Sequence, residues 1–191
     1  MKVLAINGSP RKDGNTAIML KTVLDVLEKE GIQTELHQFS GKSIHGCKAC
    51  MGCFKNKDMR CTFNDDDFNE CFTKMVAADG IILGSPTYFT DVTSEMKGLI
   101  DRAGFVSFAN GRCFRRKTGA AVVAVRRAGS THVFDTLNHF FFITEMMVPG
   151  SSYWNMGIGR EKGEVEKDEE GLRTMRVLGE NMAWMMKKLY K

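Results

Sequence analysis

The sequence predicts an α/β fold, with helices on both sides of a parallel sheet. Three observations carry this. Short apolar runs (Val3–Ile6, Gly80–Gly84, Gly119–Val125) lack the polar alternation of a half-exposed strand, as expected of strands covered on both faces. Amphipathic helical stretches separate them. The strand–helix alternation requires crossovers, and these are right-handed when the strands are parallel. In such sheets ligands lie beyond the C-terminal strand ends, so the loops after the first, third and fourth strands are the place to look for chemistry.

The elements follow in order. The opening strand ends in Asn7-Gly8-Ser9-Pro10-Arg11, and a helix runs from about Thr16 to Glu30, with Met19, Leu20, Val23, Val26 and Leu27 on one face and Gly31 as its stop. Ile32–Phe39 is a second strand. An irregular segment from Ser40 to Asp66 follows; a loop that long inside one domain is usually functional. Asp65, Asp66 and Asp67 offer N-cap and first-turn carboxylates for a helix through Ala77. After the third strand, Ser85-Pro86-Thr87-Tyr88-Phe89 leads to a helix over 94–103. The fourth strand ends in Arg126-Arg127-Ala128-Gly129, and a helix covers 132–145. A fifth strand with its loop spans 147–156, a charged solvated connection 160–170, and a final helix ends near Leu189.

With 191 residues, 43% hydrophobic and 26% charged, the chain is expected to form one domain over 1–191, with a cysteine-rich insertion at about 40–66. The net charge of +4 is scattered, without the basic stripe or interleaved aromatics that nucleic-acid binding calls for. No apolar run approaches the roughly 20 residues of a membrane helix. With no export signal, the six cysteines are not expected to form a disulfide framework, and the expected location is cytoplasmic.

Two stretches point to chemistry. The turn after the first strand aims free helix N–H groups and the positive end of the helix dipole at one point, with Ser9, Arg11, Asn15 and Thr16 nearby; this is a phosphate cradle. It has neither the Gly-Lys-Ser/Thr of a Walker loop nor Gly-x-Gly-x-x-Gly. The competing reading is an ordinary capped strand–helix connection. The second stretch is Cys47, Cys50, Cys53 and Cys61. Thiolates at x2 spacing followed by a fourth suit a cubane. Zinc sites usually pair two separate Cys-x2-Cys knuckles, and free redox-active thiols, ionised with help from Lys48 and Lys55, are the third reading. Cys71 and Cys113 are expected to be core residues. His37, His45, His132 and His139 show no triad or metal spacing.

Asn7-Gly8-Ser9-Pro10-Arg11…Gly14-Asn15-Thr16, Gly84-Ser85-Pro86-Thr87-Tyr88-Phe89 and Lys97…Asp101-Arg102, in this order, resemble the flavodoxin-like NAD(P)H-dependent FMN reductases. The run Cys47-x2-Cys50-x2-Cys53-x7-Cys61 before Asp65-Asp66 is similar to their iron–sulfur flavoprotein branch. The resemblance implies a three-layer flavodoxin-like fold with a five-stranded parallel sheet in the order 2-1-3-4-5. It implies FMN, its phosphate at Ser9, Arg11, Asn15 and Thr16 and its ring along Pro86, Thr87, Tyr88 and Phe89, with Arg126 and Gly129 in the loop at the flavin edge. It further implies a [4Fe–4S] cluster on the four cysteines, near the flavin of a neighbouring subunit in a homodimer or homotetramer. The donor would be NAD(P)H or a ferredoxin-type carrier and the acceptor a small molecule. The flavin itself supplies the redox chemistry, so no acid–base side chain is required. The rival readings are an NAD(P)H-dependent FMN, quinone or azo reductase without a cluster, and a non-catalytic flavodoxin-like electron carrier. Phe140, Phe141 and Phe142 cannot all face inward from one helix, so an exposed apolar face is expected there.

Overall fold

The computed structural model describes residues 1–39 and 44–190. Five parallel strands form one sheet: β1 (Lys2–Asn7), β2 (Gln33–Gln38), β3 (Gly80–Pro86), β4 (Thr118–Val125) and β5 (Met156–Ile158), in the order β2-β1-β3-β4-β5. Among the described residues six helices accompany the sheet: α1 (Asn15–Lys29), α2 (Gly52–Asn56), α3 (Phe68–Ala77), α4 (Ser94–Ala109), α5 (Ser130–Ile143) and α6 (Glu169–Leu189).

Successive side chains of a strand point to opposite faces, so each central strand serves two cores. Val3 and Ala5 of β1 pack with Leu20, Val23 and Leu27 of α1 and Leu178 and Met182 of α6. Leu4 and Ile6 pack on the other face with Phe72 of α3, Leu99 of α4 and Phe141 of α5. All of these side chains are buried. The chain order reverses between β1 and β3, which are neighbours with Asn7 beside Gly84. This places the loops after β1, β3 and β4 along one edge.

The structure corrects several boundaries. The fifth strand is Met156–Ile158, while Met147 makes only an isolated bridge to Thr118; Pro149-Gly150 interrupts the expected run, since proline lacks an N–H and glycine weakens a strand. Helix α4 continues through Gly104 to Ala109 because Val106 and Ser107 are buried beyond it, and packing outweighs the roughly 1 kcal/mol cost of an interior glycine. The connection over 160–170 is more than a solvated link: Glu164–Lys167 is a 3-10 turn whose Val165 is fully buried. The first residues of the irregular segment, 40–43, lie outside the described residues. No helix among the described residues is long and apolar enough to cross a membrane.

Candidate flavin groove and cysteine cavity

At the switch point a groove is lined by Ser9, Arg11, Asn15, Thr16, Pro86, Thr87, Tyr88, Ala124, Val125, Arg126, Gly159 and Arg160. Its end at the first loop is built by a closed ring of side-chain bonds. Asn7, fully buried, accepts the Ser9 N–H at Oδ1 (3.1 Å) and donates to Gln38 Oε1 (2.6 Å), and Gln38 Nε2 donates to the Ser9 carbonyl (2.9 Å). The Ser9 hydroxyl accepts the Arg11 N–H at 3.1 Å, which leaves its hydrogen to donate. Helix α1 starts at Gly14 with no side-chain cap. Its first-turn N–H groups, which have no intrahelical partners, therefore open toward the groove.

Not every expected residue plays the part the motif suggests. The Asn15 side chain spends both amide hydrogens on the carbonyls of Gly159 and Glu161, each at 3.0 Å. It clamps the loop after β5 and leaves only its backbone N–H for an anion. Phe89 does not line the groove. It tops a tight turn in which Tyr88 and Asp91 exchange backbone bonds of 2.9 and 3.0 Å, with Phe89 and Thr90 both at positive φ (48° and 66°), the pairing that a type I′ turn needs. Its ring is wholly exposed. Gly129 also lies off the groove: it begins α5 at φ 89°, and a Cβ there would stand 2.9 Å from Thr90 Cγ2. Asp91 Oδ1 accepts from Thr136 of α5 at 3.0 Å, which holds the turn. Gly159 and Arg160 complete the groove lining, and Asn7 and Gln38 brace it from behind, none of the four having been singled out as site residues in the sequence; a buried polar residue closing an apolar strand was the signal available for Asn7.

The cysteine segment forms a second cavity, lined by Cys47, Cys50, Cys53, Cys61, Thr62, Phe63, Arg102, Phe105 and Val106. Ala49, Met51, Lys57 and Met59 all take positive φ between 49° and 60°, a conformation costing L-residues about 1 to 2 kcal/mol each. This backbone turns successive sulfurs toward one space. Backbone N–H groups meet them, as Ala49 N does Cys47 Sγ at 3.4 Å. A bond from Thr62, then the Gly52 N–H, with Lys48 adding charge against the effect of burial, lowers the pKa of the Cys50 thiol. Burial raises that of Cys53, and Cys61 and Cys47 beside it add to the rise. Four cysteine sulfurs around one space, N–H donors aimed at them, and thiolates whose mutual repulsion a cation would offset suit a bound cationic centre.

The frame of this cavity is well tied. Asn69 of α3 accepts the Cys61 N–H at 2.8 Å and donates to the Cys61 carbonyl at 3.0 Å. Asp66 serves two partners: Oδ1 accepts the N–H of Phe68, the first residue of α3, at 3.1 Å, while Oδ2 is buried in an ion pair with Arg102 of α4 and accepts the His45 N–H at 2.8 Å. Burial opposes its charge, but the Arg102 bond and the His45 and Phe68 N–H groups hold its carboxyl below the usual range. His45, Asp65 and Asp66 place ligand atoms within 4.8 Å, though Asp66 is already engaged. Cys71 is fully buried and Cys113 partly so.

The profile of the NADPH-dependent FMN reductases matches residues 1–161. The chain belongs to that family. An iron–sulfur flavoprotein of Methanocaldococcus jannaschii is 36% identical across the whole of both chains, and one of Methanosarcina thermophila is 32% identical over 92% of this chain and 90% of its own. These place this FMN reductase family member in the iron–sulfur flavoprotein branch, among flavin-dependent oxidoreductases. Its fold is that of the NAD(P)H:quinone oxidoreductase of Methanothermobacter marburgensis (TM-score 0.69, 14% identity, 95% and 96% of the two chains) and of an archaeal flavodoxin (TM-score 0.63, 15% identity, all of both chains). The sheet order inferred from the family resemblance is the one observed.

Proposed function

We propose that this family member passes electrons between a reduced carrier and an acceptor, with FMN in the groove at the switch point and a [4Fe–4S] cluster on Cys47, Cys50, Cys53 and Cys61. The observation that carries the reading is that one chain builds both an uncapped helix terminus facing a groove and a cavity lined by four cysteines. When bound, FMN exchanges electrons in pairs or singly, and a cluster exchanges them singly.

The chain's own residues bind and orient. Ser9, Arg11, Thr16 and the first N–H groups of α1 would hold the phosphate, with Arg11 supplying its countercharge. Pro86, Thr87 and Tyr88 would border the ring, with Arg126 at its edge. The groove has no paired acid and base, so the residues steer and stabilise charge and leave the redox step to the cofactor. NAD(P)H or a ferredoxin-type carrier is the proposed donor and a small molecule the acceptor. Phe105, Phe142 and Ile143, exposed along an 830 Å3 groove between α4 and α5, support a homo-oligomer.

Anaerobic purification with iron, acid-labile sulfide and FMN analysis tests the reading. Cys50→Ser should lose the iron and the broad visible absorbance while the flavin stays bound. An unchanged iron content and spectrum would reject the cluster ligation.

A further inference from the structure

One charged side chain in the cysteine cavity has a hydrogen-bonding capacity that the protein does not use. Arg102, 2% exposed, donates from Nη1 to Asp66 and to the His45 carbonyl (3.2 Å), and from Nη2 to the Phe63 carbonyl (3.1 Å). Its guanidinium carbon lies 4.1 Å from the centre of the Phe68 ring. These contacts explain how it ties α4 to the cysteine segment, and they leave one group over. Among the described residues its Nε is buried without a hydrogen-bond partner, while the Cys61 side chain is a neighbour that acts on the guanidinium through hydrogen bonding and charge. A neutral thiol is a weak acceptor, so Nε gains little from it. A thiolate is anionic, and charge-assisted bonds to anions are the strong ones. Buried polar groups are ordinarily satisfied, and an unsatisfied donor on a buried cation that lines a cavity calls for an occupant.

We propose that Arg102 donates its Nε–H to the Cys61 thiolate of the loaded centre and, as a positioning residue, makes that centre easier to reduce, with Asp66 setting how much of the arginine charge is felt. This rests on the cluster reading above. Reduction adds negative charge to the centre, and a buried cation beside it favours the reduced form; the hydrogen bond to sulfur acts in the same direction. Asp66 opposes it, because its carboxylate partly cancels the guanidinium charge. Removing Arg102 and removing the Asp66 charge therefore have opposite signs, which a purely structural tie does not predict.

The test uses the full chain, loaded with iron, sulfide and FMN under anaerobic conditions, with Arg102→Gln, Arg102→Lys and Asp66→Asn compared by iron content and by redox titration followed by electron paramagnetic resonance. Arg102→Gln should shift the one-electron equilibrium of the cluster about tenfold toward the oxidised form, about 59 mV lower. Asp66→Asn should shift it the other way. Arg102→Lys, which keeps the charge but loses the planar fork, should fall between wild type and Arg102→Gln. The FMN couple should stay in place in all three. An Arg102→Gln protein with its full iron and an unmoved cluster potential overturns the proposal, as does Asp66→Asn moving the same way as Arg102→Gln. If Arg102→Gln does not retain iron, the directions of Asp66→Asn and Arg102→Lys decide. Wild-type protein that binds FMN but no iron would instead refute the cluster reading itself.

Discussion

Replacing Asn7 with alanine probes the proposed phosphate end of the groove without touching any residue that lines it. The change removes two bonds, the Ser9 N–H to Oδ1 and Nδ2 to Gln38 Oε1, worth about 1 kcal/mol each net. It also strands a buried donor at Ser9, which adds about 1 to 2 kcal/mol if no water reaches it. Flavin-free protein should therefore lose about 2 to 4 kcal/mol against urea. Flavin affinity should drop separately. With Ser9 released, binding has to order one or two residues again at about 1 to 2 kcal/mol each, so the dissociation constant should rise roughly 10- to 100-fold. Titration of FMN by its fluorescence, at a temperature where the variant is folded, gives that constant directly. Gln38→Ala, which breaks the same ring at another corner, should produce a smaller rise. A folded Asn7→Ala protein that binds FMN within about twofold of wild type would refute the idea that the ring preorganises the site.

Two further outcomes follow from contacts around the sheet. Thr93 Oγ1 accepts the Met96 N–H at 3.3 Å and donates to the Gly8 carbonyl at 2.8 Å; Thr93→Val should cost about 1 to 2 kcal/mol in urea melts and weaken FMN binding, because one substitution loses a helix cap and a tie to the first loop. Glu35 is paired with Lys2 at 2.6 Å and Lys74 at 3.2 Å, and the Lys2 bond, then Lys74, against some desolvation, keeps its pKa below the ordinary value. A depressed carboxylate stabilises above the unfolded pKa of about 4.3 and loses that contribution as pH falls through its lower folded value. Glu35→Gln should therefore flatten the acid limb of the melting-temperature profile and cost less than about 1 kcal/mol at neutral pH, given partial exposure; parallel profiles for the two proteins would contradict the assignment.

Periodicity exposed the sheet because β1, β3 and β4 are buried on both faces, and burial of that kind is written in the composition itself. The first-loop end of the groove stood out against the same background: Gly, Ser, Pro and Arg interrupt an apolar strand. What stayed hidden depended on partners remote in sequence. Asn15 looks like a phosphate donor until Gly159 and Glu161 are folded back on to it, 144 and 146 residues away. Asp66 reads as a helix-start carboxylate and does accept the Phe68 N–H, but its ion pair with Arg102 comes from the next helix and has no local signal. Helix α2 is five residues long and has no internal period to detect, since its shape is imposed by the left-handed residues around it. Phe89 follows the Ser-Pro-Thr stretch that runs to the groove, but the turn geometry carries its ring out to solvent.

Helix α4 grips the first loop at one end through Thr93 and the cysteine segment farther along through Arg102. Nine residues at 1.5 Å each make that span about 14 Å. A hydrogen-bonded rod of this kind resists extension, so thermal wobble in either loop changes local orientation far more than the gap between them. Electron tunnelling falls off steeply with separation, and under the proposed reading the spacing between the two sites of one chain is set by a count of residues along a rigid strut.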